Sequence, residues 1–237
     1  MAKRTKGKCK YCGKEYTFSY MNKHLPVCEE RQKRWEEAGG KTCGYFELAI
    51  CPKYNRDYWL FLEIKETATL KDVDQFLRDI WLECCGHLSE FDIDGIRYDV
   101  APGDDFFWGK PTKTMDCKLK SVLEKGMTFD YRYDFGSTTE LMITVVNYRI
   151  GKLRKEKVVI LSRNNPVEFM CEECGRKSAV YICTECYYEG SGWLCGDCAK
   201  THECGEEMLL PVCNSPRMGV CGYCGSDIYP DQFVPDK

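Results

Sequence analysis

The sequence has no long apolar segment. No run approaches the about 18 consecutive apolar residues of a membrane-spanning helix, so we expect no membrane span. The basic N-terminal residues lead into Cys9 and Cys12 rather than into an apolar stretch, which is not the pattern of a secretory signal. We therefore expect a cytoplasmic protein. In that compartment cysteines are metal ligands more often than disulfide partners.

Histidine is scarce, with three in 237 residues. His24 and His202 have the spacing of metal ligands, which leaves only His87 for acid–base chemistry. A nucleophile built from Cys84 or Cys85 with His87 is conceivable, but no third group that would orient the base is evident. We therefore predict no catalytic residues and favour a protein that is not an enzyme.

Cysteine, in contrast, is abundant, with 18 residues. Charge is uneven as well: residues 1–34 hold ten Lys/Arg and three Asp/Glu, and residues 171–237 hold five and eleven. We interpret the chain as a basic module at 1–36, a central domain at 41–165 and an acidic module at 168–237. Five middle cysteines lack ligand spacing and are expected to be small buried core residues. These are Cys43, Cys51, Cys84, Cys85 and Cys117.

The first module carries four residues with zinc-ligand spacing. They are Cys9, Cys12, His24 and Cys28. A tight turn would present two thiolates, and a helix would present a His and a Cys four apart on one face, which closes a tetrahedral site. This spacing resembles the CCHC subclass of ββα zinc fingers over residues 9–28. Pro26 lies between the two helix ligands and predicts a distorted last helical turn.

Basic residues around this finger could neutralise phosphates and give salt-dependent, sequence-independent binding to nucleic acid. The alternative is a protein-docking finger with solvated charges, since one finger reads only about 3 base pairs. Nucleic acid is therefore a possible partner of this module. The basic residues are Lys3, Arg4, Lys6, Lys8, Lys10, Lys14, Lys23, Arg31, Lys33 and Arg34.

The central segment has the pattern of an ordinary globular domain. Thr69 and Asp72 predict a capping box before an amphipathic helix that runs through Cys84 and stops at Gly86. Asp94-Gly95 between two apolar runs predicts a two-residue β-hairpin. The economical solution is an α+β domain with a mostly antiparallel sheet and one main helix. Further strands are predicted at 58–64, 128–135, 141–148 and 157–161.

Two segments of this domain carry a family resemblance. Gly86-His87-Leu88-Ser89-Glu90-Phe91-Asp92-Ile93 and Tyr133-Asp134-Phe135-Gly136-Ser137-Thr138-Thr139-Glu140-Leu141 resemble the Ri-plasmid open-reading-frame-three-like family, over roughly residues 45–162. Some members are labelled transposon resolvases, so the resemblance implies an alternative: a nucleic-acid-processing enzyme with a catalytic central domain. A serine resolvase needs a nucleophilic Ser among activating arginines, and the sequence has no such cluster. We expect Gly136 to permit a turn or bulge at the strand end.

The third module supplies eight ligands of the types that zinc prefers, enough for two tetrahedral sites in a cross-braced or a sequential arrangement. They are Cys171, Cys174, Cys183, Cys186, Cys195, Cys198, His202 and Cys204. The stretch resembles B-box-type modules. That resemblance implies cross-bracing, with Cys171, Cys174, Cys195 and Cys198 on one ion and Cys183, Cys186, His202 and Cys204 on the other.

Three further cysteines, Cys213, Cys221 and Cys224, follow this module. They could form an additional zinc site with Cys204 or Asp227, or be plain thiols in a glycine-rich turn. We predict about three zinc ions, each closed by four protein ligands and therefore structural. The sequence thus predicts a non-enzymatic zinc-binding adaptor whose acidic module repels nucleic acid and contacts protein. It predicts no oligomeric state.

Overall fold

The computed structural model describes residues 4–36, 40–101 and 112–236. The chain forms two compact units, each discontinuous in sequence. The first comprises Met1–Phe76, Leu88–Asn165 and Phe233–Lys237, and the second Leu77–His87 and Pro166–Gln232. The sequence-based division into three modules stays a prediction. None of the helices in the described residues is long and apolar enough to cross a membrane.

The first unit begins with a small ββα arrangement. Its elements are β1 (Lys6–Lys8), β2 (Glu15–Thr17), α1 (Phe18–His24) and α2 (Glu29–Glu36). β1 and β2 pair antiparallel. α1 ends at His24, and a 3-10 turn at Leu25–Val27 carries the chain to Cys28, as Pro26 predicts.

A large sheet follows in the same unit. Its strands are β3 (Thr42–Pro52), β4 (Leu60–Lys65), β5 (Ser89–Ile93), β6 (Ile96–Asp99), β7 (Lys113–Thr114), β8 (Thr128–Tyr133), β9 (Thr139–Lys152) and β10 (Val158–Arg163). They lie in the order β10-β4-β3-β9-β8-β5-β6-β7. Only β6 and β7 pair in parallel among these described strands. The sheet, with few helices beside it, confirms the predicted α+β class.

The main helix is shorter than its apolar pattern suggests. α3 spans Leu70–Leu77 and passes into a π-helical turn, Arg78–Leu82, so Cys84 lies in the loop beyond it. The predicted capping box is present: the Thr69 N–H donates to Asp72 Oδ2 at 2.9 Å, and the Asp72 N–H donates to Thr69 Oγ1 at 3.2 Å. These reciprocal bonds satisfy two amides that the first helical turn leaves unpaired.

Two turns show where sequence reasoning worked and where it did not. Asp94 and Gly95 have φ of 51° and 76°, the two left-handed residues of the predicted hairpin. After β8 the left-handed residue is Asp134, at φ 63°, and not Gly136. The Asp134 carboxylate accepts a bond from the Gly136 N–H at 3.0 Å, an Asx turn that makes this backbone tolerable for aspartate.

The finger and the sheet share one hydrophobic core. Met21 and Leu25 pack in the same cluster as Trp59, Phe61 and Leu161. β1 runs so close to β10 that a Cβ on Gly7 would lie 2.1 Å from the Arg163 carbonyl oxygen, which no side chain tolerates. The finger's apolar face is therefore already covered by the sheet.

The second unit is built on a much smaller sheet. Its elements are β11 (Tyr181–Cys183), α4 (Thr184–Tyr187), β12 (Trp193–Leu194) and β13 (Leu209–Pro211), with strand order β12-β11-β13. The fully buried part of one core cluster there is only Cys183, Leu194 and Ala199, surrounded by further cysteines. Other apolar side chains of this unit are buried as well, among them Trp81, Ile182, Met218 and Tyr223.

Candidate metal centres

Cysteine and histidine side chains gather into four clusters in the described part of the chain. Within each cluster all ligand atoms lie within 4.8 Å of one another. The clusters are Cys9, Cys12, His24 and Cys28; Cys171, Cys174, Cys195 and Cys198; Cys183, Cys186, His202 and Cys204; and Cys84, Cys85, His87 and Cys221. The first three are the ligand sets named from the sequence and the B-box resemblance. The fourth is new.

The spacing of the ligand atoms in the first cluster fits a tetrahedral zinc ion. Zinc–sulfur and zinc–nitrogen bonds of about 2.3 and 2.0 Å place neighbouring ligand atoms ~3.8 Å (S···S) and ~3.5 Å (S···N) apart. The Cys9 and Cys28 sulfurs are 3.9 Å apart, and Cys12 Sγ lies 3.3 Å from His24 Nε2. A disulfide would need about 2.05 Å, and the 18 cysteines, all of them among the described residues, form no disulfide bonds.

Local backbone geometry places the first pair of thiols. The Gly13 N–H donates to the Cys9 carbonyl at 3.0 Å, and Gly13 has φ 68°, which closes a tight turn around Cys9 and Cys12. From α1, the His24 ring stacks on Tyr16 with ring centroids 4.4 Å apart. The turn and the helix thus present two thiols and an imidazole to one point.

Burial affects the protonation of two of the candidate ligands in this cluster. Burial raises the pKa of the Cys9 thiol to about 12, so a thiolate there needs a positive charge beside it. A divalent metal ion supplies that charge. Burial, followed by the charges of Lys14 and Arg31, lowers the pKa of His24 and keeps its ring in the neutral form that binds metal.

The two C-terminal clusters interleave along the sequence. The first and third cysteine pairs meet, with 3.9 Å between the sulfurs of Cys174 and Cys195. The second pair meets the histidine and the last cysteine: Cys186 Sγ lies 3.6 Å from His202 Nε2 and 3.7 Å from Cys204 Sγ. This is the cross-braced grouping rather than the sequential one, and the short His202-x-Cys204 spacing does not prevent it.

Glu173 contacts a candidate ligand and was missed by sequence reasoning. Its Oε1 lies 3.1 Å from His202 Nδ1, and this contact raises the pKa of His202. A carboxylate on one ring nitrogen orients the other nitrogen toward the metal position, as carboxylates beside metal-binding histidines commonly do. Its signal in the sequence is faint, an acidic residue inside the Cys171-x2-Cys174 turn.

The fourth cluster corrects two expectations about the remaining cysteines. Of the five middle cysteines only Cys51 is buried; Cys85 is exposed, because it lies in the loop after the π-helical turn. Cys221 joins that loop rather than Cys213 and Cys224. Cys213 is buried and Cys224 exposed, and in the described residues neither belongs to any of the four clusters.

The structure also corrects the assignment of Arg31 to phosphate binding. Arg31 is 0% exposed and its guanidinium contacts Glu47 at 2.6 Å and Glu63 at 3.1 Å. Burial of these carboxylates without a cation would be costly, so Arg31 joins the finger to the sheet. Lys3, another of the basic residues, lies outside the described residues.

A basic cleft of about 490 Å³ opens in the first unit. Its cationic lining is Lys10, Arg34, Arg149, Lys152 and Arg154, and Glu156 lines it as well. Arg149 and Arg154 are paired with buried Glu63. The Asp236 side chain lies in the cleft, 2.6 Å from Lys10 Nζ and 2.5 Å from Arg34 Nη1. Its N–H also donates to the Lys10 carbonyl at 2.9 Å. The cleft therefore binds the carboxylate and the main-chain amide of one acidic residue of the chain itself, Asp236.

Comparison with known proteins identifies the family. The plasmid pRiA4b ORF-3-like family matches residues 53–179, more than half of the chain. The chain belongs to this family. The matched range extends past Cys171 and Cys174, whereas the resemblance seen in the sequence covers only residues 45–162.

A solved structure, a protein of unknown function from Methanosarcina mazei Go1, is similar to this chain at 18% identity and a TM-score of 0.44. The match covers 56% of this chain and 75% of that one. None of the curated proteins matches the chain.

Proposed function

We propose that this chain is a non-enzymatic interaction protein in which zinc ions at the three predicted clusters have structural roles. One observation carries the proposal: each cluster offers four Cys or His ligands, enough to fill a tetrahedral shell. A zinc ion held this way has no open position for water or substrate. Such ions stabilise folds and do not catalyse.

Metal analysis tests the structural-zinc role. Protein purified without chelators should contain at least three zinc ions per chain, since twelve ligands are grouped in three sets of four. Fewer than three ions would contradict the proposal. The double variant Cys9→Ser and Cys28→Ser should lose one ion, and Lys33→Ala, an exposed residue of the same finger, should lose none.

We further propose that the partner is a protein that inserts an acidic, extended segment into the basic cleft. The support is the occupant already there, since Asp236 binds by two side-chain ion pairs and a main-chain hydrogen bond. A partner would replace these contacts. Complementary charge of this kind determines which partner binds and how fast.

A binding assay with two probes tests the choice of partner. An acidic peptide should bind the protein, and Arg34→Glu or Lys152→Glu should abolish most of this binding. Lys23→Glu is the matched control, because Lys23 is an exposed lysine on α1 and not part of the cleft lining. Asp236→Asn should strengthen peptide binding by about two- to fivefold, the range expected for partly exposed ion pairs.

An oligonucleotide is the second probe. Salt-dependent binding that Lys23→Glu weakens, with no affinity for the acidic peptide, would replace the acidic-protein proposal by nucleic-acid binding through the finger.

A further inference from the structure

The fourth cluster brings together residues that are far apart in sequence. Cys84, Cys85 and His87 lie in one short loop, and Cys221 approaches from a segment more than 130 positions away, within the same compact unit. The sulfurs of Cys85 and Cys221 are 3.7 Å apart, and Cys221 Sγ lies 3.5 Å from His87 Nε2. Both distances match those of neighbouring ligands on a tetrahedral zinc ion, ~3.8 and ~3.5 Å.

The loop that carries three of these ligands is held in place by bonds outside the cluster. Arg78 donates to Glu83 Oε2 at 2.9 Å and to the His87 carbonyl at 2.7 Å. Glu83 accepts a further bond from the Gly86 N–H at 2.6 Å. Hydrogen bonds of the Arg78 and Glu83 side chains therefore fix the backbone on the C-terminal side of Cys85, at Gly86 and His87. The loop that presents the ligands is thus held without help from a metal ion.

The segment that carries Cys221 is held on both sides. Ser215 Oγ donates to the Trp81 carbonyl at 2.6 Å, and Ser226 Oγ donates to the Asp79 carbonyl. Both acceptors belong to the π-helical turn that precedes the ligand loop. Cys221 itself has φ 55°, a left-handed backbone that is uncommon outside glycine.

Cys224 shows that this arrangement is selective. It belongs to the same Cys-x2-Cys pair as Cys221 and is also exposed, yet it is not part of the cluster. A paired zinc knuckle would use both cysteines of such a pair. The cluster instead takes one thiol from the pair and completes its set with a vicinal Cys-Cys and a histidine.

We propose that Cys84, Cys85, His87 and Cys221 bind a fourth Zn²⁺ ion, and that this ion exchanges more readily than the other three. Three thiolates and an imidazole form a donor set that favours zinc over the hard cations. Cys85 and Cys221 are exposed, and Cys84 and His87 are half-buried, whereas the first cluster includes Cys9 at 0% and Cys28 at 2% exposure. Chelators and competing thiols can reach the exposed site directly.

Zinc content in a matched pair of variants tests the site. Cys221→Ser should hold one zinc ion fewer than the wild-type chain, and Cys224→Ser should hold as many as wild type. An unchanged content in Cys221→Ser would overturn the proposal. Loss of an ion from Cys224→Ser as well would overturn it too, because the Cys221-x2-Cys224 knuckle would then be the ligand pair.

Replacement of the histidine separates ligation from folding. His87→Ala should lose one ion, and His87→Cys should keep it, since a fourth thiolate can take the place of the imidazole. Loss in both variants would show that His87 has another role and would overturn its assignment as a ligand. These comparisons are made relative to wild type, so they stand whether or not the three structural sites are all filled.

Chelator competition tests the exchange rate. One equivalent of zinc should leave the wild-type chain in a fast phase, and this phase should be missing from Cys221→Ser and present in Cys224→Ser. A fast phase that persists in Cys221→Ser would assign lability to another site and overturn that part of the proposal.

Discussion

The first cluster and the two C-terminal clusters use the same kinds of ligand beside sheets of very different size. Around the first cluster, Met21 and Leu25 pack with Trp59 and Phe61 of an eight-stranded sheet. Around the C-terminal clusters the sheet has three short strands, and Cys183, Leu194 and Ala199 form one small buried cluster beside the ligands. The same metal chemistry therefore contributes a different share of the folding energy in each unit.

The largest effect is expected from Cys183→Ser. This change removes a ligand and, at the same time, one member of the buried cluster of Cys183, Leu194 and Ala199. Zinc binding in small modules contributes on the order of 10 kcal/mol of folding free energy, so the second unit should unfold. Hydrogen exchange should show lost protection across β11, β12 and β13, while β3, β4 and β9 remain protected.

The matched variant is Cys9→Ser in the first cluster. It should release one ion while the large sheet keeps its exchange protection, because the apolar core beneath the finger persists. Unfolding of β3, β4 and β9 in this variant would contradict the expectation that the first unit depends less on its metal site than the second unit does.

An intermediate effect is expected from Arg31→Met. Arg31 is fully buried between Glu47 and Glu63. Its removal takes the nearest cation from buried Glu47, which then has only Arg149 at 4.0 Å, whereas Glu63 keeps its ion pairs with Arg149 and Arg154. Breaking a buried pair in this way costs about 3–5 kcal/mol. Urea denaturation of the first unit should show this loss. Lys33→Ala, which breaks an exposed pair with Glu30, should leave the midpoint unchanged, and equal shifts in the two variants would contradict the structural role of Arg31.

The smallest effect is expected from Gly7→Ala. The added methyl group would meet the Arg163 carbonyl, so β1 must move away from β10. Such overpacking costs about 1–3 kcal/mol and should loosen the contact between finger and sheet. Gly136→Ala is the control, because its nearest atom beyond the chain neighbours is an Asp134 oxygen at 3.4 Å. A melting temperature unchanged by Gly7→Ala would show that the close approach is not required.

Local features of the structure follow from local sequence. Thr69 with Asp72, and Asp94 with Gly95, each act across at most three residues, so spacing alone predicts the helix start and the hairpin. The Cys-x2-Cys turns are equally local. The ligand sets of the first three clusters were accordingly within reach of the sequence and the family-like patterns in it.

Features that depend on the tertiary fold were out of reach. Cys85 and Cys221 are 136 positions apart, and no spacing rule joins them. Arg31 resembles its exposed basic neighbours in sequence and differs only by the buried carboxylates of β3 and β4 that contact it. β3 itself gave no clear signal, because nine consecutive residues of it are buried and the alternation of a half-exposed strand is absent.

The shared core under the finger has a practical consequence for dissecting the protein. A fragment that starts after residue 40 would lose Phe18, whose ring contacts Trp59 and Phe61, together with Met21 and Leu25 of the same core cluster, and would expose that core. A fragment of the finger alone would expose the other half of the same contact. Experiments that assign binding to either part should therefore use point substitutions in the intact chain. A cut at this junction would expose an apolar surface on each fragment, and these surfaces would bind other proteins non-specifically.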